Sequence, residues 1–91
     1  MLINKQDKKI LEKILNNYPY KFYAYGSRVK GTAHKFSDLD ICYKENISSY
    51  ILIEIEQKLE ESNLSFVVEL VNWKYMKKTF QKLIQKDLIL I

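Results

Sequence analysis

Six residues, Asp38 to Tyr43 (DLDICY), limit the fold most tightly, because Leu39, Ile41 and Tyr43 alternate there with Asp38, Asp40 and Cys42. A period of two belongs to a β-strand, so this segment is a strand that sends both aspartates to one face. The flanking chain reads around it. Asn4 caps a helix with Asp7 three residues on, a near variant of the capping box, and Ile10, Leu11, Ile14 and Leu15 share one face of that helix to about Asn17. Pro19 ends it. Lys21 to Tyr25 (KFYAY), short, aromatic-rich and closed by Gly26, is a buried strand, and a loop runs from Gly26 to about Ser37.

Beyond the central strand, Ser48 or Ser49 caps a second helix with Ile51, Leu52, Ile55 and Leu59 inward, ending near Asn63. Phe66 to Val71 (FVVELV) is the third strand. Asn72 then caps a last helix with an apolar stripe of Met76, Phe80, Leu83 and Ile84, and Leu88 to Ile91 (LILI) is either a short strand or an apolar docking segment. The order is that of a small α+β (mixed α/β) domain spanning residues 1–91, with a three- to four-stranded mixed sheet flanked by helices.

Composition excludes several classes. No run approaches the roughly 18 apolar residues of a membrane span, and the amino terminus (MLINKQDKK) lacks the apolar stretch of a secretory signal, so a cytoplasmic protein is expected. The single cysteine, Cys42, sits in an apolar segment as a packing residue. The net charge of +4 favours an acidic partner such as a nucleotide, yet Lys74, Lys77, Lys78, Lys82 and Lys86 recur at helical spacing and read as a solvated face. Nucleic acid is not expected as a direct ligand: the chain has charge without an RNA-reading motif.

The chemistry gathers around the first two strands. Gly26-Ser27 ends one strand, and ten residues later Asp38-Leu39-Asp40 opens the next. Within the third strand, Glu69 is a charge among β-branched and apolar residues, a local inconsistency that marks a site; the bland alternative is a charge escaping the core at a sheet edge. Carboxylates about 4 Å apart repel by about 4 kcal/mol at an effective dielectric near 20, and divalent cations relieve that repulsion. Hard Mg²⁺ seeks carboxylate and phosphate oxygens, so Asp38, Asp40 and Glu69 are candidate ligands for a pair of Mg²⁺ ions and candidate catalytic residues. Gly26 lets backbone approach a phosphate, Ser27 offers a hydroxyl and an N–H at the first turn of a short helix, and Arg28 is placed to neutralise a pyrophosphate leaving group. Thr32 and Ser37 read as loop-turning residues, and the lone His34 takes no catalytic role because Mg²⁺ does not favour imidazole.

The stretch YGSRVKGTAHKFSDLDICY resembles the signature of DNA polymerase beta-like nucleotidyltransferases, specifically the minimal nucleotidyltransferase antitoxins. The resemblance covers nearly the whole chain and implies the small nucleotidyltransferase fold, with Gly26 and Ser27 on the triphosphate and Asp38 and Asp40 on metal. Glu69 departs from the aspartate more usual at the third position. The likeness further implies Mg²⁺-dependent transfer of AMP from ATP to a tyrosine of a HEPN-domain ribonuclease toxin. A non-catalytic antitoxin that neutralises its partner by binding alone is the competing reading. A chain of this length leaves no second domain to recognise an acceptor, so the acceptor is expected to bring its own docking surface, with Leu88 to Ile91 and the basic last helix as docking candidates.

Overall fold

The computed structural model describes all residues, 1–91. Its elements are α1 (Lys5–Leu15), β1 (Phe22–Tyr25), α2 (Ser27–Lys30), β2 (Leu39–Tyr43), α3 (Ser49–Glu60), β3 (Val68–Asn72), a 3₁₀ turn (Trp73–Tyr75), α4 (Lys78–Ile84), a second 3₁₀ turn (Gln85–Asp87) and β4 (Ile89–Leu90). The four strands form one mixed sheet in the order β3-β2-β1-β4. β1 runs antiparallel to β2 and β4, whereas β2 and β3 are parallel. Parallel neighbours need a crossover, which α3 supplies.

Alternation along the strands builds two unlike faces. Phe22 and Ala24 of β1 join Leu39, Ile41 and Tyr43 of β2 in a core with Leu11 and Leu15 of α1 and Ile55 and Leu59 of α3. The intervening residues Tyr25 and Cys42 face the other way, in a smaller cluster with Ile84 of α4. Each buried Leu, Ile or Phe of the main core contributes roughly 1.5–3 kcal/mol of transfer free energy, so stability is concentrated on the α1/α3 face. No helix is long and apolar enough to cross a membrane.

The capping expectations hold with one addition. Asn4 accepts from the Asp7 N–H at 2.8 Å, and Ser48 accepts from the Ile51 N–H at 3.3 Å. The Asp7 carboxylate, however, accepts from the Ser65 hydroxyl at 2.6 Å and the Ser65 N–H at 3.2 Å, tying α1 to the entrance of β3. The last helix differs more from the sequence reading. Asn72 accepts from the Lys74 N–H at 3.0 Å and caps a 3₁₀ turn, not a continuous helix. Trp73 and Met76 pack onto the small cluster beneath, and α4 begins only at Lys78. Of the expected stripe only Ile84 is fully buried, while Phe80 and Leu83 stay exposed. The terminal apolar residues resolve as a strand: Ile89 and Leu90 pair with Ala24 and Tyr23. The five lysines from Lys74 to Lys86 are all exposed.

Candidate active site

The site is built on the sheet face opposite α1 and α3. Asp40 is the Cα partner of Tyr25 on one side and of Glu69 on the other, so β2 and β3 bring two acids abreast on one face. Asp38 lies one residue before β2, two positions from Asp40 and exposed. Electrostatics register the gathering. Burial first, then the charges of Glu69 and Asp38, push the Asp40 carboxyl above the usual carboxylate range, and a hydrogen bond with Glu69 acts in the same direction. Next to it, burial and then the Asp40 charge raise the Tyr25 phenol to about 12, which keeps it neutral.

Gly26 is explained by Asp40 as much as by any ligand. Its φ is +87°, in the region that only glycine adopts without cost, and a Cβ built there would collide with the Asp40 carboxylate oxygen Oδ2. The glycine therefore lets the β1–α2 turn close against the acid. Ser27 follows as the first residue of α2, a helix of a single turn that ends at Gly31 with φ +79°. Gly26, Ser27 and Asp40 thus share one small region at the end of β1.

Arg28 departs from its expected place beside the phosphates. It is buried, with Nε donating to the Ser37 carbonyl at 3.0 Å, Nη2 to the same carbonyl at 2.7 Å and Nη1 to the Leu2 carbonyl at 2.8 Å. Its guanidinium also lies 4.1 Å from the centre of the Phe66 ring. A fork of donors committed to backbone carbonyls pins the loop immediately before Asp38; it does not reach out to a substrate. The rest of that loop closes on itself, with the Ser37 hydroxyl accepting from the His34 N–H at 2.8 Å. Cys42 is fully buried, and burial pushes its thiol up, consistent with packing. Nothing in the sequence pairs Tyr25 with Phe80, yet their rings meet edge to face at 6.0 Å. Tyr25 reaches that position as the cross-strand partner of Asp40.

No group of three acids, histidines or cysteines stands close enough to hold a metal ion by itself. The donor set nevertheless suits a hard divalent cation: Asp40 carries the repulsion of two neighbouring carboxylates. Mg²⁺ ordinarily takes only one or two carboxylates, with the remaining positions filled by phosphate and water. Asp38, Asp40 and Glu69 are the residues able to hold it.

The turn at Gly26-Ser27, two strand acids abreast and a third acid in the preceding loop thus lie together at one end of the sheet. The Polymerase beta, nucleotidyltransferase family matches residues 8–91. The chain belongs to this family. The chain is also similar to the probable protein adenylyltransferase MntA of Haemophilus influenzae, with 33% identity over 86 residues that cover 92% of this chain and 74% of the relative. Among solved structures it resembles a crystal structure of a toxin–antitoxin with AMP-PNP, at a TM-score of 0.57 and 29% identity over 81% of this chain. The match spans 62% of that protein's length. Family and fold agree with the mixed sheet.

Proposed function

We propose that this nucleotidyltransferase is an antitoxin that transfers AMP from ATP to a hydroxyl of a toxin protein, and that the acceptor is a tyrosine of a HEPN-domain partner. The observation that carries the reading is the juxtaposition of Asp40 and Glu69 on adjacent strands, next to a glycine whose Cβ would strike Asp40. The likeness to a probable protein adenylyltransferase supports a protein acceptor, and the likeness to a toxin–antitoxin with AMP-PNP supports both the toxin and an adenine nucleotide.

In this reading the backbone of Gly26 and Ser27 would receive the triphosphate, and Asp38, Asp40 and Glu69 would hold Mg²⁺. When bound, Mg²⁺ neutralises the phosphates and favours the ionised acceptor hydroxyl. The chain's own contribution is positional. Arg28 fixes the loop that delivers Asp38, the Tyr25–Phe80 pair walls the site with apolar surface, and the neutral Tyr25 adds no charge to the acids. Glu69 lies at the outer strand of the sheet, where an incoming hydroxyl can be oriented beside it and its proton accepted. The hydroxyl oxygen attacks the α-phosphorus, the bond to the bridging oxygen breaks, and pyrophosphate leaves.

The test is incubation with α-³²P-labelled ATP and Mg²⁺, alone and with the HEPN partner, beside an Asp38→Asn, Asp40→Asn control. Label on the partner that vanishes in the control is expected. Tight binding of the two proteins with no label from any nucleoside triphosphate would replace transfer with neutralisation by binding alone.

A further inference from the structure

A groove of about 700 Å³ runs along the free side of β3, between that strand and the end of α3. It meets the candidate active site at the edge of β3, where Glu69, the strand partner of Asp40, is one of its lining residues. Its apolar floor includes Phe66 and Leu70, and two of its walls are strongly exposed: Phe36 at 78% and Val67 at 66%. Its charged residues are Glu56, Glu60 and Glu69, with no lysine or arginine among them. In a chain whose net charge is +4, this stretch of surface is locally acidic. The other sizeable depression, at the β4 side, has a different character: Lys5, Lys8 and Glu12 line it, and none of the site acids does.

The backbone along this groove is also open. β3 is the outermost strand on its side of the sheet. The Leu39 N–H donates to the Val67 carbonyl at 2.9 Å, so in the parallel ladder Val67, Glu69 and Val71 turn their backbone polar groups toward β2. Val68 and Leu70 turn theirs outward, where an added strand can pair with them. Side chains of such a strand would alternate, one set lying beside Glu69 and the other over Glu56 and Glu60.

We propose that this groove receives the acceptor protein as an extended, basic segment: a strand that pairs with the free edge of β3, sets apolar side chains against Phe36 and Val67, presents lysines or arginines to Glu56 and Glu60, and brings its acceptor hydroxyl beside Glu69. The proposal rests on the reading that the acceptor is a protein hydroxyl. It moves the docking surface away from the terminal apolar residues, which are engaged as β4, and from the basic α4, which would repel such a segment. Charge at the rim sets partner selection and encounter rate, and backbone pairing supplies much of the affinity.

The test uses two short synthetic peptides that share a central valine, tyrosine and leucine, one flanked by lysines and the other by glutamates. Binding is followed on the ¹⁵N-labelled chain, and AMP transfer is read by peptide mass with ATP and Mg²⁺. The lysine-flanked peptide is expected to bind at least about tenfold more tightly at low salt, to lose that advantage as salt is added, and to shift amide signals of β3 and the end of α3. The double variant Glu56→Lys, Glu60→Lys changes two exposed side chains and is expected to reverse the preference while ATP binding is kept. Equal binding of the two peptides, signal shifts confined to the β4 side, or self-association of the chain that buries the groove would each overturn the proposal. AMP transfer to both peptides equally would overturn it while leaving the transferase reading intact. Binding of the basic peptide in the groove with no transfer would overturn the placement of the acceptor hydroxyl beside Glu69, and label on the partner protein in the assay above would show that the transferase reading survives.

Discussion

Leu39, Ile41 and Tyr43 lie one residue from Asp38, Asp40 and Cys42, yet the two sets meet different surroundings. The first set is sealed beneath α1 and α3, with Leu39 and Ile41 wholly buried. The second faces a short α4 that covers Cys42 but leaves Asp40 partly open and Asp38 and Glu69 exposed. One strand therefore carries stability on one side and like-charge repulsion on the other. The comparison teaches that the cost of the acids is tolerable because the opposite face is closed and well packed, so perturbations of the two faces should separate stability from activity.

The largest separation is expected from Asp40→Asn. Transfer should fall on the order of 10³-fold, the scale seen when a preorganised charge-stabilising group is removed, while the unliganded protein becomes more stable. In a domain of this size each kcal/mol gained raises Tm by roughly 4–8 °C. Its pH dependence follows from the direction of the Asp40 shift. With the folded-state pKa raised above the ordinary 3.8, the stabilising contribution of the protonated form is complete below 3.8 and is lost as pH rises through the raised value. The Tm gain of the variant should therefore be present at neutral pH and vanish in acid; a gain of equal size at both would break the comparison.

Ile41→Ala tests the closed face. Removing a fully buried isoleucine should cost about 2–5 kcal/mol, with transfer lost only as far as the fold is lost. Denaturant titration alongside transfer below the unfolding midpoint checks this. Gly26→Ala touches both faces of the account: it forces a residue with a Cβ to φ +87° and drives that Cβ into Asp40. Conformational strain of about 1–2 kcal/mol is expected, together with reduced transfer, even where the variant is fully folded. Arg28→Lys should cost less stability than Ile41→Ala, because the loop loses a fork of carbonyl contacts rather than core volume. Metal affinity, read by Mn²⁺ titration, should weaken as Asp38 loses its anchor.

Much of this was legible in the residues themselves. The alternation at Asp38 to Tyr43 gave the strand and its faces, the caps Asn4 and Ser48 gave two helix starts, and Glu69 stood out as a charge in an apolar strand. What was not legible depends on backbone atoms and distant partners. The targets of Arg28 are carbonyls of Leu2, Lys35 and Ser37, which carry no side-chain signature. The bond between Asp7 and Ser65 joins residues 58 apart, so local capping chemistry could not reveal it. Asn72 is a cap, as its residue type suggests, but the element it caps is a 3₁₀ turn because Trp73 and Met76 are drawn onto the sheet before α4 can start.

The most direct test of the central claim, that the acid face of β2 and β3 holds the metal–nucleotide complex, is paramagnetic broadening of the ¹⁵N-labelled chain by Mn²⁺ with a non-hydrolysable ATP analogue. The account predicts selective loss of the amide signals of Gly26, Ser27, Asp38, Asp40 and Glu69, with those of Leu11 and Ile55 retained. Broadening centred elsewhere, or broadening at these residues that persists in the Asp38→Asn, Asp40→Asn variant, would contradict it.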